Sequence, residues 1–415
     1  MNPHSKPSVS VIVVNYNGDK FLTLLLSSIT KQKYRDFEVV IVDNASVDQS
    51  ISRLKLWLKQ NPLMAKKVKI IKEKRNWGFA RGNNIGVAQA NGKYLLFINT
   101  DTELEPEALG HMVTMIQGNM FTAGVAPKIY LSRFLPQKVF DSVGICINDN
   151  ASPYNRAIGQ IDLGQYDKPE LIMGLCFACC LVRKDIYTLL GGLDNTYFAY
   201  FEDVDFSLRV LKTGYRFYAC PKALVYHYHS GTSSSRAYAW KYHLIFRNYL
   251  RTVVKSMGKR TAIRVVSHKT KDFLKTVIDR ETPRLMRQKL VMVLIRFYLI
   301  DWWVYSLKRN QVHKSFNRTI SDDKVFKFCR NEPSNFFDPV ALKPDIGLKM
   351  LDFIIGRLNR SKLNQSHLED WLELKRIYYC DPTGKQWQKR WQEFAKQTLG
   401  VYGQQAWVQD LLRRG

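Results

Sequence analysis

The sequence predicts an α/β fold with a mostly parallel sheet and flanking helices, followed by a basic α-helical region. Short β-branched runs alternate with helical patterns through the first 130 residues, and polar residues follow four of these runs. Such alternation is typical of a parallel sheet with helices on both faces. Most of the net charge of +27 lies after Ser235, where the pattern is helical and no strand is expected.

The predicted elements follow one another in a regular order. The first four strands are Val9–Val14, Glu38–Val42, Val68–Ile71 and Tyr94–Ile98. The helices among them are Phe21–Lys31, Ile51–Gln60, a segment that contains Ile85–Gln89, and Glu105–Ile116. Residues 132–172 are expected to be rich in loops. Later elements are a strand at Leu175–Val182, a helix at Val204–Thr213, and short strands at Tyr215–Tyr218 and Leu224–Tyr226.

Polar residues follow each of the first four predicted strands. The four segments are Asn15-Tyr16-Asn17-Gly18, Asp43-Asn44-Ala45-Ser46, Arg75-Asn76-Trp77-Gly78 and Asn99-Thr100-Asp101-Thr102. Ligands of such sheets bind beyond the carboxyl ends of the strands, so one polar crevice is predicted there. No G-x-G-x-x-G follows the first strand and no G-x-x-x-x-G-K-[ST] occurs in the chain. The sequence therefore lacks the motifs that would chiefly indicate a dinucleotide-dependent oxidoreductase or a P-loop NTPase.

The seven cysteines do not form a metal-binding pattern. Cys176, Cys179 and Cys180 lie close together, but no second pair stands at zinc spacing nearby. We interpret them as small apolar residues of a buried strand. Free cysteines of this kind indicate a reducing, cytosolic setting.

Two groups of acidic residues could carry chemistry. Asp101 follows a buried strand and could hold a hard divalent cation that bridges two phosphates, although a helix N-cap is the simpler role. The run Glu202-Asp203-Val204-Asp205 opens a helix among aromatic residues. A carboxylate there could act as a general base, or the acids could simply complement the helix dipole.

Two histidines stand at the end of a predicted strand. His227 and His229 are two residues apart, so their side chains should face roughly the same way. A neutral imidazole could complete a metal site with Asp101. An ordinary surface or core histidine is the alternative.

Four segments together resemble family 2 glycosyltransferases of the GT-A fold, a Rossmann-like architecture, and most closely the rhamnosyltransferase-like branch. They are SVIVVNYNG, VVIVDNASVDQS, RNWGFARGNNIGVAQANGKYLLFINTD and GGLDNTYFAYFEDVDFSLRVLKTGYRFYACPKALVYHYHSGTSS. The resemblance covers roughly residues 8–235. It implies an inverting transfer of a sugar, with rhamnose as the leading candidate, from a UDP- or dTDP-linked donor to a hydroxyl of a lipid-linked or growing cell-surface glycan.

The resemblance also implies roles for the matching positions. Asn15, Tyr16 and Asp43 would contact the nucleotide, and Arg75, Asn76, Gly78, Phe79, Asn83 and Asn99 would shape the nucleotide–sugar pocket. Asp101, with His227 or His229, would bind Mg²⁺ or Mn²⁺ on the diphosphate. Asp203, after Glu202, would be the catalytic base.

Two departures from the family pattern refine this expectation. Asn99 stands at the first position of the usual Asp-x-Asp. Processive members carry Q-x-x-R-W, but here Trp387 stands three residues before Arg390 in place of the glutamine. A processive polysaccharide synthase is therefore not expected.

The excess positive charge divides the chain into parts with different roles. Residues 1–235 hold 27 basic and 20 acidic side chains, whereas residues 236–415 hold 36 and 16. We expect a catalytic domain at 1–235, with a nucleotide-sugar half at about 1–130 and an acceptor half at about 131–235. A basic helical region should follow at 236–320, and a further helical region of unknown role at 321–415.

Residues 236–320 are predicted to associate with an anionic membrane surface. Tyr242–Met257 and Leu290–Leu307 mix aliphatic and aromatic residues with Arg and Lys, as interfacial helices do. Arg296 and Asp301 interrupt the second segment, so we do not expect it to span a bilayer. The predicted location is cytoplasmic, at the inner face of the membrane. A helical subdomain with a solvated basic face is the alternative.

Two other function classes were weighed. A nucleic-acid-binding protein would explain the charge, but no nucleic-acid motif is present and no such partner is expected. A catalytically inactive glycan-binding protein of the same fold is the other alternative, and the presence of Asp101 and Asp203 argues against it.

Overall fold

A computed structural model describes residues 7–19, 21–132, 135, 138–160, 162, 164, 166–229, 235–278, 284–314 and 321–329. Side chains of residues 235–239 and 309–314 lie outside the description. Of the predicted C-terminal region 321–415, only its first nine residues are therefore described.

The strands form one large mixed sheet and a small hairpin. They are β1 (Val9–Asn15), β2 (Phe37–Asp43), β3 (Val68–Lys72), β4 (Tyr94–Ile98), β5 (Thr102–Leu104), β6 (Thr122–Leu131), β7 (Phe140–Ser142), β8 (Ile145–Ile147), β9 (Pro153–Asn155), β10 (Glu170–Ile172), β11 (Cys179–Arg183) and β12 (Arg216–His227). The large sheet has the order β10-β12-β6-β11-β4-β1-β2-β3, with β5 on β12 and β7 on β6.

The helices flank the sheet in the first half and form a separate group in the second. They are α1 (Leu22–Thr30), α2 (Ser50–Gln60), α3 (Pro62–Ala65), α4 (Gly78–Ala88), α5 (Ala108–Gln117), α6 (Lys184–Leu189), α7 (Glu202–Lys212), α8 (Ser235–Ser256), α9 (Lys259–Ile278), α10 (Arg284–Arg296), α11 (Trp302–Lys314) and α12 (Asp322–Lys327). A π-helical turn, Phe297–Asp301, joins α10 to α11.

The predicted α/β architecture is confirmed. β1 pairs in parallel with both β2 and β4, and β2 pairs in parallel with β3. The residues of β4, YLLFI, are all buried, as expected for a strand covered on both faces. Their carboxyl ends meet at one edge, so the polar segments predicted to lie together do so.

Several element boundaries differ from the prediction. The two short strands predicted around 215–226 are one strand, β12, which continues through an irregularity between Cys220 and Leu224. The segment predicted to be loop-rich contains four short strands, β7 to β10. The helix predicted around Ile85 already begins at Gly78, and α7 begins at Glu202. The last two shifts place predicted site residues at helix N-termini.

The expectation that Leu290–Leu307 does not span a bilayer stays a prediction. Among the described residues, Arg284–Lys308 meets the criteria of length and composition for crossing a bilayer. The two charges that interrupt it in the sequence do not shorten the helix, because the π-helical turn carries it through Asp301.

Candidate active site

Strand pairing brings four titratable side chains together. Thr102 of β5 pairs with His227 of β12, which places Asp101 beside the end of β12. β12 also runs parallel to β6, and β6 pairs with β7, which carries Asp141. The result is a cluster of Asp101, Asp141, His227 and His229.

Asp141 lies at the centre of this cluster. Its Oδ2 lies 2.7 Å from Nδ1 of His227, and its Oδ1 lies 2.9 Å from Nε2 of His229. Nε2 of His227 lies 3.3 Å from Oδ1 of Asp101. The two imidazole rings are 4.1 Å apart, so the prediction that the histidines face the same way is confirmed.

The electrostatics of the cluster follow from its burial and its two carboxylates. Burial alone would lower the pKa of His227, but hydrogen bonds to Asp101 and Asp141 raise it to about 10. Burial would raise the pKa of Asp141, yet the two histidines hold it well below its usual range. A cation is therefore favoured between the carboxylates.

The donor set of this cluster fits a divalent metal ion. Asp141, His227 and His229 each place a ligand atom within 4.8 Å of the others. Carboxylate oxygen with imidazole nitrogen suits Mn²⁺ better than Mg²⁺, which prefers oxygen ligands. Two arrangements are chemically reasonable. In one, Asp141 is a ligand; in the other, it holds His227 by Nδ1 while Nε2 of His227 and Asp101 bind the ion.

The three carboxylates at the start of α7 lie in different environments. Asp205 is fully buried, with its carboxylate 2.9 Å from Arg209 and 2.8 Å from Lys255, which gives it a structural role. Glu202 is buried, and burial followed by the charge of Asp203 raises its pKa well above normal. Burial therefore disfavours the charged form of Glu202.

Asp203 is the carboxylate best suited to accept a proton. It is half-buried and has no ion-pair partner among the described residues. Burial raises its pKa, and backbone N–H groups of Val204 and Phe177 oppose that effect. The geometry favours Asp203 over Glu202 as the base, because a base needs both an ionised carboxylate and access to solvent.

The segment that leads into α7 is strained and held from two sides. Tyr200 and Phe201 adopt left-handed backbone conformations, with φ of 68° and 72°. The side-chain amide of Asn248 on α8 donates to the carbonyls of Ala199 and Tyr200, at 2.9 and 2.8 Å. Strain of this kind persists only where the surroundings impose it, and it clusters at functional sites.

Gly78 contacts the same segment from the opposite side. The backbone N–H of Phe79 donates to the carbonyl of Phe198 at 2.6 Å. Gly78 has φ of 81°, and a Cβ at this position would overlap the carbonyl of Phe198. The start of α4 and helix α8 therefore position Asp203 together.

Cys176 connects the two halves of the site. Burial raises the pKa of its thiol, and the charges of Asp141 and Asp203 raise it further. The Cys176 side chain also hydrogen-bonds Ser142, next to Asp141, and the backbone N–H of the adjacent Phe177 bonds Asp203, so this segment lies between the carboxylate–histidine cluster and the candidate base. Cys176, Cys179 and Cys180 are all buried and unpaired, as predicted for strand and core residues.

Two polar residues that are predicted to contact the nucleotide form hydrogen bonds within the protein. The amide of Asn15 is fully buried and donates to Ser46 and Ser50, at 3.0 and 2.9 Å. It also lies 3.4 Å from Asp43, whose carboxylate accepts from the backbone N–H of Ser46 at 3.2 Å. Asn15 and Asp43 thus hold the ends of β1 and β2 in register, and their contact with a nucleotide stays a prediction.

Asn44 organises the loop between β3 and α4. Its side chain donates to Asn76 and to the carbonyl of Gly78, at 2.9 and 3.0 Å, and accepts from the N–H of Trp77 at 3.0 Å. The guanidinium groups of Arg75 and Arg81 lie over the ring of Trp77, at 3.4 and 3.3 Å. Arg75 is nevertheless exposed, as a group that meets an anionic ligand must be.

The remaining predicted residues differ in exposure. Tyr16 is 51% exposed at the end of β1. Asn83 is buried and donates to the carbonyl of Phe79, which is half-buried on the same helix. Asn99 is half-buried, and its carbonyl accepts from the hydroxyl of Thr102 at 2.7 Å. Tyr16 and Asn99 are therefore the more accessible members of this set.

Sequence reasoning missed Asp141 and the organising role of Asn44. Asp141 lies in the segment predicted to be loops, where no periodic pattern marked a strand. Asn44 stands in one of the polar segments, so its position was available. Only the tertiary contact with α4 shows its function.

Comparison with known proteins finds similarity to glycosyltransferases, mainly in the N-terminal part of the chain. Residues 10–190 match the model of glycosyl transferase family 2. An uncharacterised glycosyltransferase of Haemophilus influenzae is 34% identical over 113 residues, which cover 27% of this chain and 34% of that protein. The low-salt glycan biosynthesis hexosyltransferase of Haloferax volcanii is 22% identical over 249 residues, covering 58% of this chain and 73% of that protein.

Solved structures of similar fold also exist. The mannosyltransferase of Pyrobaculum calidifontis, solved with GDP-mannose and Mn²⁺, is 16% identical with a TM-score of 0.43, and the alignment covers 75% of this chain and 76% of that one. The chain spans only about a third of the length of the Haemophilus relative. The match at residues 10–190 covers less than half of the chain and shows that this part is similar to family 2 glycosyltransferases.

Proposed function

We propose that this protein is an inverting glycosyltransferase that moves a hexose from a nucleoside-diphosphate sugar to a hydroxyl of a cell-surface glycan. One observation carries the proposal. The Cys176–Phe177 segment links a half-buried carboxylate with a raised pKa, Asp203, to a carboxylate–histidine cluster that fits a divalent cation. The name of the Haloferax relative, a hexosyltransferase of glycan biosynthesis, supports the substrate class.

In this proposal, Asp203 accepts the proton of the acceptor hydroxyl as that oxygen attacks the anomeric carbon. The bond from the anomeric carbon to the diphosphate breaks in the same step, so the configuration inverts. Asp101 and His227, with Asp141 behind the imidazole, would hold the cation. A bound cation would stabilise the charge that develops on the departing diphosphate.

The donor is proposed more narrowly as a UDP- or dTDP-linked sugar, with dTDP-rhamnose as the leading candidate. This choice rests on the likeness of the four sequence segments to the rhamnosyltransferase-like branch. The acceptor is proposed to be a lipid-linked or growing glycan, reached at the cytoplasmic face of the membrane.

A thermal-shift screen of nucleotide sugars, with and without Mn²⁺, tests this function. We expect one nucleotide sugar to raise the melting temperature only when Mn²⁺ is present, because the cation bridges protein and diphosphate. Asp101→Ala should remove that shift. The matched control is Asp185→Asn, which alters an exposed carboxylate on α6 that pairs with Arg183. A shift that Asp101→Ala leaves intact would contradict the metal role.

A further inference from the structure

We propose that the helix Arg284–Lys308 lies in the plane of an anionic membrane surface, with its outer face in the lipid and its inner face on the protein. The outer face carries a strip of apolar side chains, here called the apolar strip: Met292, Ile295, Leu299, Ile300, Trp303 and Leu307. This placement of the helix on the membrane is independent of the reaction proposed above, because it depends only on the surface of the helical region.

The apolar strip is continuous and large. Its members are between 50% and 71% exposed and recur at helical spacing on one side of the helix. The helix is roughly 35 Å long at 1.5 Å per residue. Soluble proteins rarely expose a continuous apolar surface of that extent unless it is an interaction site.

The acidic residue that interrupts this segment in the sequence does not lie on the strip. Asp301 is 3% exposed, and both its oxygens accept from the guanidinium of Arg251 on α8, each at 2.9 Å. Arg296 lies 3.6 Å from Asp301 through its Nε, and its side chain is otherwise 58% exposed. The outer surface of this helix is therefore apolar and cationic, as an interfacial helix requires.

Helix α9 supplies a basic border to the strip. The hydroxyls of Thr270 and Tyr298 lie 2.6 Å apart and bring α9 beside α10. Exposed Lys271 and Lys275 flank that contact on α9. Residues 236–318 hold 20 basic and 4 acidic side chains in all. Charge of this sign and density attracts anionic lipid headgroups.

The same charge argues against two other partners for the strip. Residues 330–415 hold 14 basic and 10 acidic side chains, so that segment has the same sign as the border of the strip. A second copy of the chain would also bring its own basic helices into contact. An anionic bilayer is the partner with the complementary charge.

Contacts on the inner face favour an in-plane helix over a spanning one. Leu290, Val293 and Phe297 are almost fully buried, and α10 and α11 pack against α8. The Arg251–Asp301 pair is buried on that face, and spanning would separate it or carry it into lipid. The helix can therefore lie in the interface without disturbing the fold.

A helix placed on the membrane in this way would also hold the candidate active site near the membrane, an inference that rests on the proposed function. Tyr305 of α11 lies 2.7 Å, oxygen to oxygen, from Thr196, and Lys308 lies 3.1 Å from Asp194. Both partners belong to the segment that leads to Asp203. The membrane helix is thus fixed to the part of the catalytic domain that carries the proposed base, near a lipid-linked acceptor.

Vesicle flotation of the whole chain tests whether the helix binds a membrane, and it needs no substrate. We expect binding to vesicles of phosphatidylcholine and phosphatidylglycerol in equal parts, and little binding to phosphatidylcholine alone. The variant Ile295→Gln/Leu299→Gln/Trp303→Gln should reduce binding at least about tenfold, because three side chains lose their burial in lipid. The control Leu56→Gln/Leu63→Gln alters equally exposed leucines near α2 and α3 and should bind like the wild type.

Each result decides the proposal. Loss of binding in the triple variant, with an unchanged circular dichroism spectrum, supports it, as does release of the wild type by alkaline carbonate. Wild-type binding that resists carbonate indicates a spanning helix and overturns it. Absence of vesicle binding, or a triple variant that binds normally, also overturns it. A change of oligomeric state or of the protease sensitivity of residues 330–415 in the triple variant, with binding retained, assigns the strip to another partner.

Discussion

At the scale of single residues, the environment of each carboxylate decides its role. Glu202, Asp203 and Asp205 occupy one helical turn, yet only Asp203 combines access to solvent with freedom from an ion pair among the described residues. The sequence showed three acids at a helix start and could not separate them. Arg209 pairs with Asp205 from the next turn of the same helix, but Lys255 comes from α8, so only the fold reveals that second partner.

The raised pKa of Asp203 predicts the pH dependence of catalysis. A general base must be ionised, so activity should fall as the pH drops through its pKa. Because burial raises that pKa, the acidic limb of kcat/KM should lie above the ordinary carboxyl value of about 4. A pH–rate profile measures this limb. A limb at or below the ordinary value would show that another group is the base.

Asp141 is predicted to position His227 for metal binding. Asp141→Asn preserves the shape of the side chain but removes the charge and one acceptor that the histidines use. We expect Mn²⁺ affinity to fall about 10–100-fold, as is typical when a partner of a metal-bound histidine is lost. Isothermal titration with Mn²⁺ and a nucleotide measures it, with Asp185→Asn as the control. Unchanged affinity would remove Asp141 from the site.

Glu202→Gln separates the two candidate bases. Glutamine has nearly the same shape as glutamic acid, and burial already disfavours the charged form of Glu202, so we expect turnover to change by no more than about tenfold. Initial-rate measurements at neutral pH decide the matter. A loss as large as that caused by altering Asp203 would assign Glu202 a direct part in proton transfer.

At the scale of elements, the site depends on how α4 and α8 hold the segment before α7. The strands and their polar ends could be predicted, because a buried parallel strand has a clear apolar pattern in YLLFI and VSVIVV. The boundaries of α4 and α7 were missed, since neither helix has a side-chain N-cap to mark its start. The short strand that carries Asp141 was missed because a strand of three residues is too short to show an alternating pattern of apolar side chains.

Gly78→Ala tests the contact between α4 and the segment before α7. An alanine must adopt φ of 81° and displace the carbonyl of Phe198, so we expect a loss of roughly 1–3 kcal/mol in the free energy of unfolding, with reduced kcat. Gly191→Ala is the matched control, because Gly191 has φ of 74° but open space around its Cβ. Denaturant titration and turnover measure both variants. Equal effects would mean that strain alone, without the contact, explains the loss.

At the scale of the whole molecule, the helical region and the catalytic domain form one packed unit over the described residues. Arg251 pairs with Asp301, and Lys255 pairs with both Asp194 and Asp205. The concentration of positive charge after Ser235 was visible in the sequence, but the ion pairs that some of these residues form with the α/β part of the chain were not. Some of these cations are buried partners of the catalytic domain, and others border an exposed apolar strip.

Arg251→Met is predicted to loosen the attachment of the helix Arg284–Lys308 to α8. The change leaves Asp301 buried without its partner, which typically costs about 3–5 kcal/mol of stability. The double variant Arg251→Met/Asp301→Leu should recover most of that loss, because no unpaired charge remains. Denaturant titration of both variants measures the coupling. No recovery in the double variant would contradict the pairing.

The central claim is that Asp203 deprotonates the acceptor in a metal-assisted transfer, and the turnover of Asp203→Asn tests it most directly. Using the donor found by thermal shift, with Mn²⁺ present, we expect kcat to fall by about 10²–10⁴-fold while nucleotide affinity stays unchanged. The asparagine keeps the shape of the aspartate but cannot accept the proton. Turnover within a few-fold of the wild type would contradict the account.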